Sequence, residues 1–235
     1  MYQNHRINFQ IGNHDFYTCL KIMTDLKKEI PDCNIVLAID DPITKEELDT
    51  LYEAKIPFYF LKTVTSLDEF HYFMKLKVCD IVIGGDLAFY VKFLSKFAKK
   101  NSIKLRATVD LCQTYPLSPS FKGFFIRPED IDIYAHYIDT FDFAHPEDKI
   151  NTMYEIYAKD KKWYGKLNEI IIGYSGWEDS RFILPTFAEI RCGCKRRCLY
   201  DIDNPCKICD RIVELSQTLE EKKIVVEVEH GEESN

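Results

Sequence analysis

The sequence predicts an α/β protein, a compact or incomplete (β/α)8 TIM-like barrel, on three observations. Short β-branched or aromatic runs alternate with longer segments whose apolar residues recur at three- and four-residue spacing. Eight such runs can be counted, the strand number of a TIM-like barrel. With 46% hydrophobic and 14% aromatic residues, the 235-residue chain can bury a core of that size.

The elements follow in order. Residues 7–11 (INFQI) predict a strand, and residues 14–30 a helix with Phe16, Cys19, Leu20, Met23, Leu26 and Ile30 on one face. Pro31 ends that helix, and 34–39 (NIVLAI) is the second strand. Asp40, Asp41 and Pro42 turn the chain into a helix capped near Thr44, with Glu46 and Glu47 favouring its positive N-terminal end. Residues 57–62 (PFYFLK) are a strand, and 66–78 a helix opened by a capping box running from Ser66 to Glu69.

Strands at 80–84 (DIVIG) and 104–110 (KLRATVD) flank a helix over 86–101. The prolines and serines of 113–123 break any pattern and predict a loop where a helix would be due. Residues 124–127 (FFIR) predict a sixth strand, and Pro128 starts a short helix at the position where proline is tolerated. A seventh strand at 140–143, a helix over 146–159, an eighth strand at 169–173 (EIIIG) and a helix near 205–222 complete the pattern. Ile224 to Val228 suggest a last strand outside the repeat.

The eight strands fall within about 175 residues, against roughly 250 for a typical barrel, so an open doubly wound sheet is the rival architecture. The expected division is a barrel core over 1–175 and a Cys-rich metal-binding segment with a closing helix over 176–235, integral to the same domain.

A net charge of −7 argues against a protein that coats DNA through global charge, while leaving room for a local basic patch. No basic-then-apolar leader and no apolar run near the roughly 20 residues of a membrane span are present, so a cytoplasmic chain without membrane contact is expected. In a reducing compartment a dense cysteine cluster favours metal over disulfides.

Five of the nine cysteines, Cys192, Cys194, Cys198, Cys206 and Cys209, fall in the pattern C-x-C-x3-C-x7-C-x2-C. Two thiolates at C-x2-C spacing can grip one ion from a tight turn, and Gly193 and Pro205 suit such turns. Five thiols for a four-coordinate ion leave one spare. Zinc is the expected metal, with an iron–sulfur cluster as the alternative. Lys195, Arg196 and Arg197 lie inside the cluster, where they would either contact RNA phosphates or offset the charge of the thiolates.

In a barrel the chemistry sits at the carboxyl ends of the strands. Asp110, Arg127 and His145 follow three successive predicted strands, and together could bind an anion and move a proton, or else cap helices and pair in loops. Gly84 and Gly85 before Asp86 could admit a phosphate, although a plain strand-to-helix turn with Asp86 as N-cap explains them too.

The stretch CDIVIGGDLAFYVKFLSKFAKKNSIKLRATVDL (79–111), followed by GFFIRPEDIDIYAHYI (123–138), resembles the U32 peptidase-like family. The resemblance covers about 50 residues, and the cysteines of this chain are denser and more C-terminal than the family's. It implies a barrel-like fold, an iron–sulfur cluster and a role in hydroxylating RNA or quinone precursors. The combined expectation is a metal-binding barrel protein acting on, or associated with, RNA in nucleotide modification. A non-catalytic, zinc-stabilised assembly or virion protein is the alternative.

Overall fold

In the computed structural model of the chain, residues 6–10, 15–32, 34–40, 42–113, 123–192, 194 and 207–232 are described. Strand β1 (Arg6–Gln10) leads to helix α1 (Phe16–Glu29), whose first amides are capped by Asp15, its carboxylate accepting from Thr18 N at 3.0 Å. Strand β2 (Asn34–Ile39) and helix α2 (Lys45–Glu53) follow. A full capping box opens α2: Thr44 N donates to Glu47 Oε2 at 2.7 Å and Glu47 N to Thr44 Oγ1 at 3.2 Å. Strand β3 (Phe58–Phe60) precedes α3 (Leu67–Lys75), where the expected box is half made. Ser66 Oγ accepts from Glu69 N at 3.2 Å, but the Glu69 carboxylate turns to Lys62 Nζ, 2.8 Å away, and to Thr65 N, 3.1 Å away.

Strand β4 (Asp80–Val82) runs into a 3-10 turn, Gly85–Tyr90, then α4 (Val91–Lys100) and β5 (Lys104–Thr108). Beyond β5 come α5 (Ile131–Tyr134), β6 (Thr140–Asp142), α6 (Glu147–Tyr154), α7 (Phe187–Cys192) and α8 (Ile208–Glu232).

The strands form two small parallel sheets, ordered β1-β2-β3 and β4-β5-β6. A parallel bridge between Val64 and Ile83 joins the segment after β3 to the end of β4, with Val64 N donating to Val82 O at 2.7 Å. Spatial order thus follows chain order.

That order has a consequence for the helices. When each parallel crossover steps one strand in the same direction with the same hand, every helix lands on one face. The burial pattern agrees. Ile35, Leu37 and Ile39 of β2 enter the main core with Phe16 and Met23 of α1, Leu51 of α2, Phe70 of α3 and Leu94 of α4. Val36, Ala38, Tyr59 and Val82 point to the opposite face and form a small separate cluster. A doubly wound sheet packs helices on both faces, whereas Phe16, Met23, Leu51, Phe70 and Leu94 of α1 to α4 all join the face of Ile35, Leu37 and Ile39. No closed barrel is present among the described residues, where β1 and β6 stay at the sheet edges.

Three predicted strands take other forms. Residues 124–127 make one antiparallel bridge, Gln113 to Phe124, because Pro128 and the local pairing of Arg127 with Asp130 turn the chain at once. Residues 169–173 begin in a 3-10 turn, Leu167–Glu169, and touch the sheet only where Ile172 bridges Leu111; Gly173, at φ +75°, bends the chain away. Residues 224–228 lie inside α8, since extending a formed helix costs less than starting a strand without a partner.

Phe187, Ala188 and Cys192 of α7 and Ile212 of α8 join the same core as the strands. Among the described residues no helix is long and apolar enough to cross a membrane.

Candidate acid–base site and cysteine segment

Asp110 lies two residues past the carboxyl end of β5, fully buried, and His145 lies three residues past β6. The parallel pairing of β5 with β6 brings them together. Asp110 Oδ2 sits 2.6 Å from His145 Nδ1 and accepts from His145 N at 3.1 Å, while Oδ1 accepts from Ala144 N at 2.7 Å. An ionised carboxylate can only accept, so facing one, Nδ1 carries a proton, and in the neutral ring that tautomer keeps the lone pair on Nε2. Among the described residues nothing hydrogen-bonds to Nε2. The His145 side chain is 7% exposed. Asp110 therefore both clamps the loop after β6 and orients the ring, the relation a carboxylate has to the histidine of a proton-transfer pair.

Arg127 does not join this pair. Its Nε donates to Asp130 Oδ2 at 2.8 Å and its Nη2 to Oδ1 at 2.7 Å, a two-point ion pair buried on both sides. The guanidinium also lies over the Phe187 ring, 5.1 Å from its centre. Glu129 binds Trp163 N at 2.8 Å and the Ser180 hydroxyl at 3.0 Å, so residues 127–130 pin the chain that leads to α7. Tyr157, buried nearby, donates to Ile126 O at 3.1 Å. Burial, with help from Asp110, Glu129 and Asp130, pushes its hydroxyl far above the usual range, so it stays protonated.

At the end of β4 the Gly84–Gly85 turn is filled from within. The Gln113 carboxamide oxygen accepts from Gly85 N, and a Cβ on Gly84 would collide with Gln113 and Thr63. The amide that could have met a phosphate is thus taken by a side chain. Gly84, rather than Asp86, holds the N-cap position. The partner role of Gln113 was not legible from the sequence, since nothing in its spacing ties residue 113 to residue 85.

Of the five clustered cysteines, Cys192, Cys194 and Cys209 are described, whereas Cys198, Cys206 and the basic run Lys195, Arg196 and Arg197 lie outside the described residues. Cys192 ends α7, 3% exposed and hydrogen-bonded with the Tyr134 hydroxyl; burial pushes its thiol up. Cys194 and Cys209 are half-buried at the rim of the core. Among the described residues no three Cys, His, Asp or Glu side chains are grouped to hold a metal.

The residue before Cys192 is the least expected feature. Arg191 is 2% exposed, its guanidinium stacked on Phe125, Phe187 and Phe89 at 4.4, 4.8 and 5.0 Å. Its Nη2 donates to Gly123 O, and Nη1 has no hydrogen bond among the described residues. Aromatic faces replace the carboxylate that usually accompanies a buried cation.

Fold and site together define an α/β protein with one-sided helical packing and an aspartate–histidine pair at the carboxyl end of its parallel strands. Comparison with family models, with curated proteins and with solved structures gives no match for the chain.

Proposed function

We propose that this chain is an acid–base enzyme acting on RNA, built on an incomplete barrel and stabilised by a metal bound to its C-terminal cysteines. The observation that carries the reading is the Asp110–His145 contact of 2.6 Å beyond adjacent parallel strands, the end at which parallel α/β proteins place their chemistry. The sequential strand order and single helical face support the barrel reading over the doubly wound one. His145 Nε2 would accept the substrate's proton, and Asp110 would stabilise the imidazolium that results.

The cysteines fit a four-thiolate zinc site best as Cys194, Cys198, Cys206 and Cys209. Cys192, held in the core by Tyr134, is then the spare thiol. An iron–sulfur cluster on the same ligands is the alternative. When bound, zinc would supply a structural cross-link between α7 and α8. Lys195, Arg196 and Arg197 are proposed as RNA contacts beside those cysteines in sequence, in line with the partial resemblance to the U32 peptidase-like family.

The test is to express the wild-type chain and His145→Gln, digest cellular RNA to nucleosides and compare their masses. A nucleoside change seen with the wild type alone is expected, and identical profiles would overturn the enzymatic reading. One observation favours a second reading, a zinc-stabilised assembly protein: both Asp110 oxygens hold backbone amides, as a loop clamp does. That reading predicts lost assembly on Cys206→Ser and no dependence of any activity on His145.

A further inference from the structure

We infer that the outward face of α4 is a binding surface for single-stranded nucleic acid. The segment from Leu87 to Val109 carries six cations and no carboxylate, in a chain whose net charge is −7. One of the six, Arg106, is buried between Asp80 and Asp142. The other five, Lys92, Lys96, Lys99, Lys100 and Lys104, are exposed. Among the described residues none of these lysines is within ion-pairing distance of a carboxylate. Lys99 meets only the His136 carbonyl at 3.3 Å, and Lys92 lies over the Tyr137 ring.

Two bare aromatic rings share this face. Phe93 and Phe97 are 51% and 40% exposed, one helical turn apart, with ring centres 4.6 Å from each other. Lys92, Lys96 and Lys100 form a parallel stripe at i, i+4 and i+8, a rise of about 6 Å per step. A line of cations beside a paired aromatic platform matches a polymer that presents phosphates along one edge and flat bases along the other. An acidic peptide would use only the charge. A membrane surface would need a continuous apolar face turned outward, and the outward face of α4 sets lysines beside Phe93 and Phe97, while Val91, Leu94 and Ala98 lie in the core.

The inference rests on the RNA reading above only for the choice of polymer. Anisotropy of a labelled oligouridylate, titrated with salt, tests it on the full chain. Neutralising Lys92, Lys96 and Lys100 to glutamine should weaken binding and flatten the log–log salt slope by about 2, since each single-strand phosphate contact contributes about 0.7. Phe93→Ala with Phe97→Ala should lower affinity about 10-fold or more at each salt concentration while leaving the slope unchanged. Unchanged binding by the lysine variant would overturn the α4 assignment and leave the RNA reading intact. A wild-type chain that ignores the oligouridylate, whether or not it binds phosphatidylserine vesicles, would overturn the α4 assignment as well. The deoxy oligomer run in parallel shows whether the surface distinguishes RNA from DNA.

Discussion

Asp110 and Arg127 both follow apolar runs, and the sequence grouped them for that reason, yet they belong to different devices. Asp110 reaches across to the next strand's loop, whereas Arg127 has its partner three residues on, in Asp130. The R-x-x-D spacing was visible in the sequence, but its burial was not. Removing one member of a buried pair strands the other, so Asp130→Ala should cost about 3–5 kcal/mol by urea denaturation. Acid stability follows from a different carboxylate. Burial works against ionising Asp179, but Arg181 outweighs it through hydrogen bonds of 2.6–3.1 Å and holds the carboxyl below its usual range. A lowered folded-state value gives stabilisation that is complete above about pH 4 and is lost as the pH falls through that value. Asp179→Asn should therefore remove part of the acid dependence of unfolding, measured between neutral pH and that range. An unchanged pH profile would show that the pair contributes nothing. Arg191 was beyond reach from sequence alone: its three aromatic partners come from the turn before α4, from residue 125 and from its own helix.

At the scale of elements, the helices were legible because their ends are chemically marked. Asp15, Thr44 and Ser66 each cap the helix that follows them. The short apolar runs were not, because three or four buried residues suit a strand or a buried turn equally well. Residues 124–127 are a buried irregular stretch and 169–173 a partly buried turn, and a proline or a positive-φ glycine ends each. The turn after β4 offers a sharper test. Gly84→Ala should destabilise the chain markedly, because its Cβ would land on the Gln113 side chain. Shortening Gln113 to alanine in the same chain should recover part of the loss, although Thr63 stays close. Thermal unfolding of the four chains of this double-mutant cycle reads the coupling, and simple additivity would contradict the contact.

For the whole molecule, the alternation of strand and helix was legible and closure was not. Periodicity reports which residues are buried, but closure depends on pairing between strands far apart in sequence. The one-sided packing of α1 to α4 is what the chain shares with a barrel. Phe187, Cys192 and Ile212 lie in the core, so metal bound to the neighbouring cysteines would add to core stability. Elemental analysis of the purified chain should find about one zinc in the wild type and in Cys192→Ser, and little in Cys206→Ser. Loss of metal in Cys192→Ser would return that thiol to the ligand set.

The chemistry proposed for this fold depends on the state of one imidazole. Nitrogen NMR of selectively labelled histidine, assigned through His145→Gln, reads that state directly. With Asp110 as drawn, at a pH where the ring is neutral, His145 carries its proton on Nδ1 and shows an unprotonated Nε2, and Asp110→Asn disturbs that pattern. A His145 signal averaged over both tautomers, or protonated at Nε2 instead, would contradict the pairing and, with it, the acid–base site.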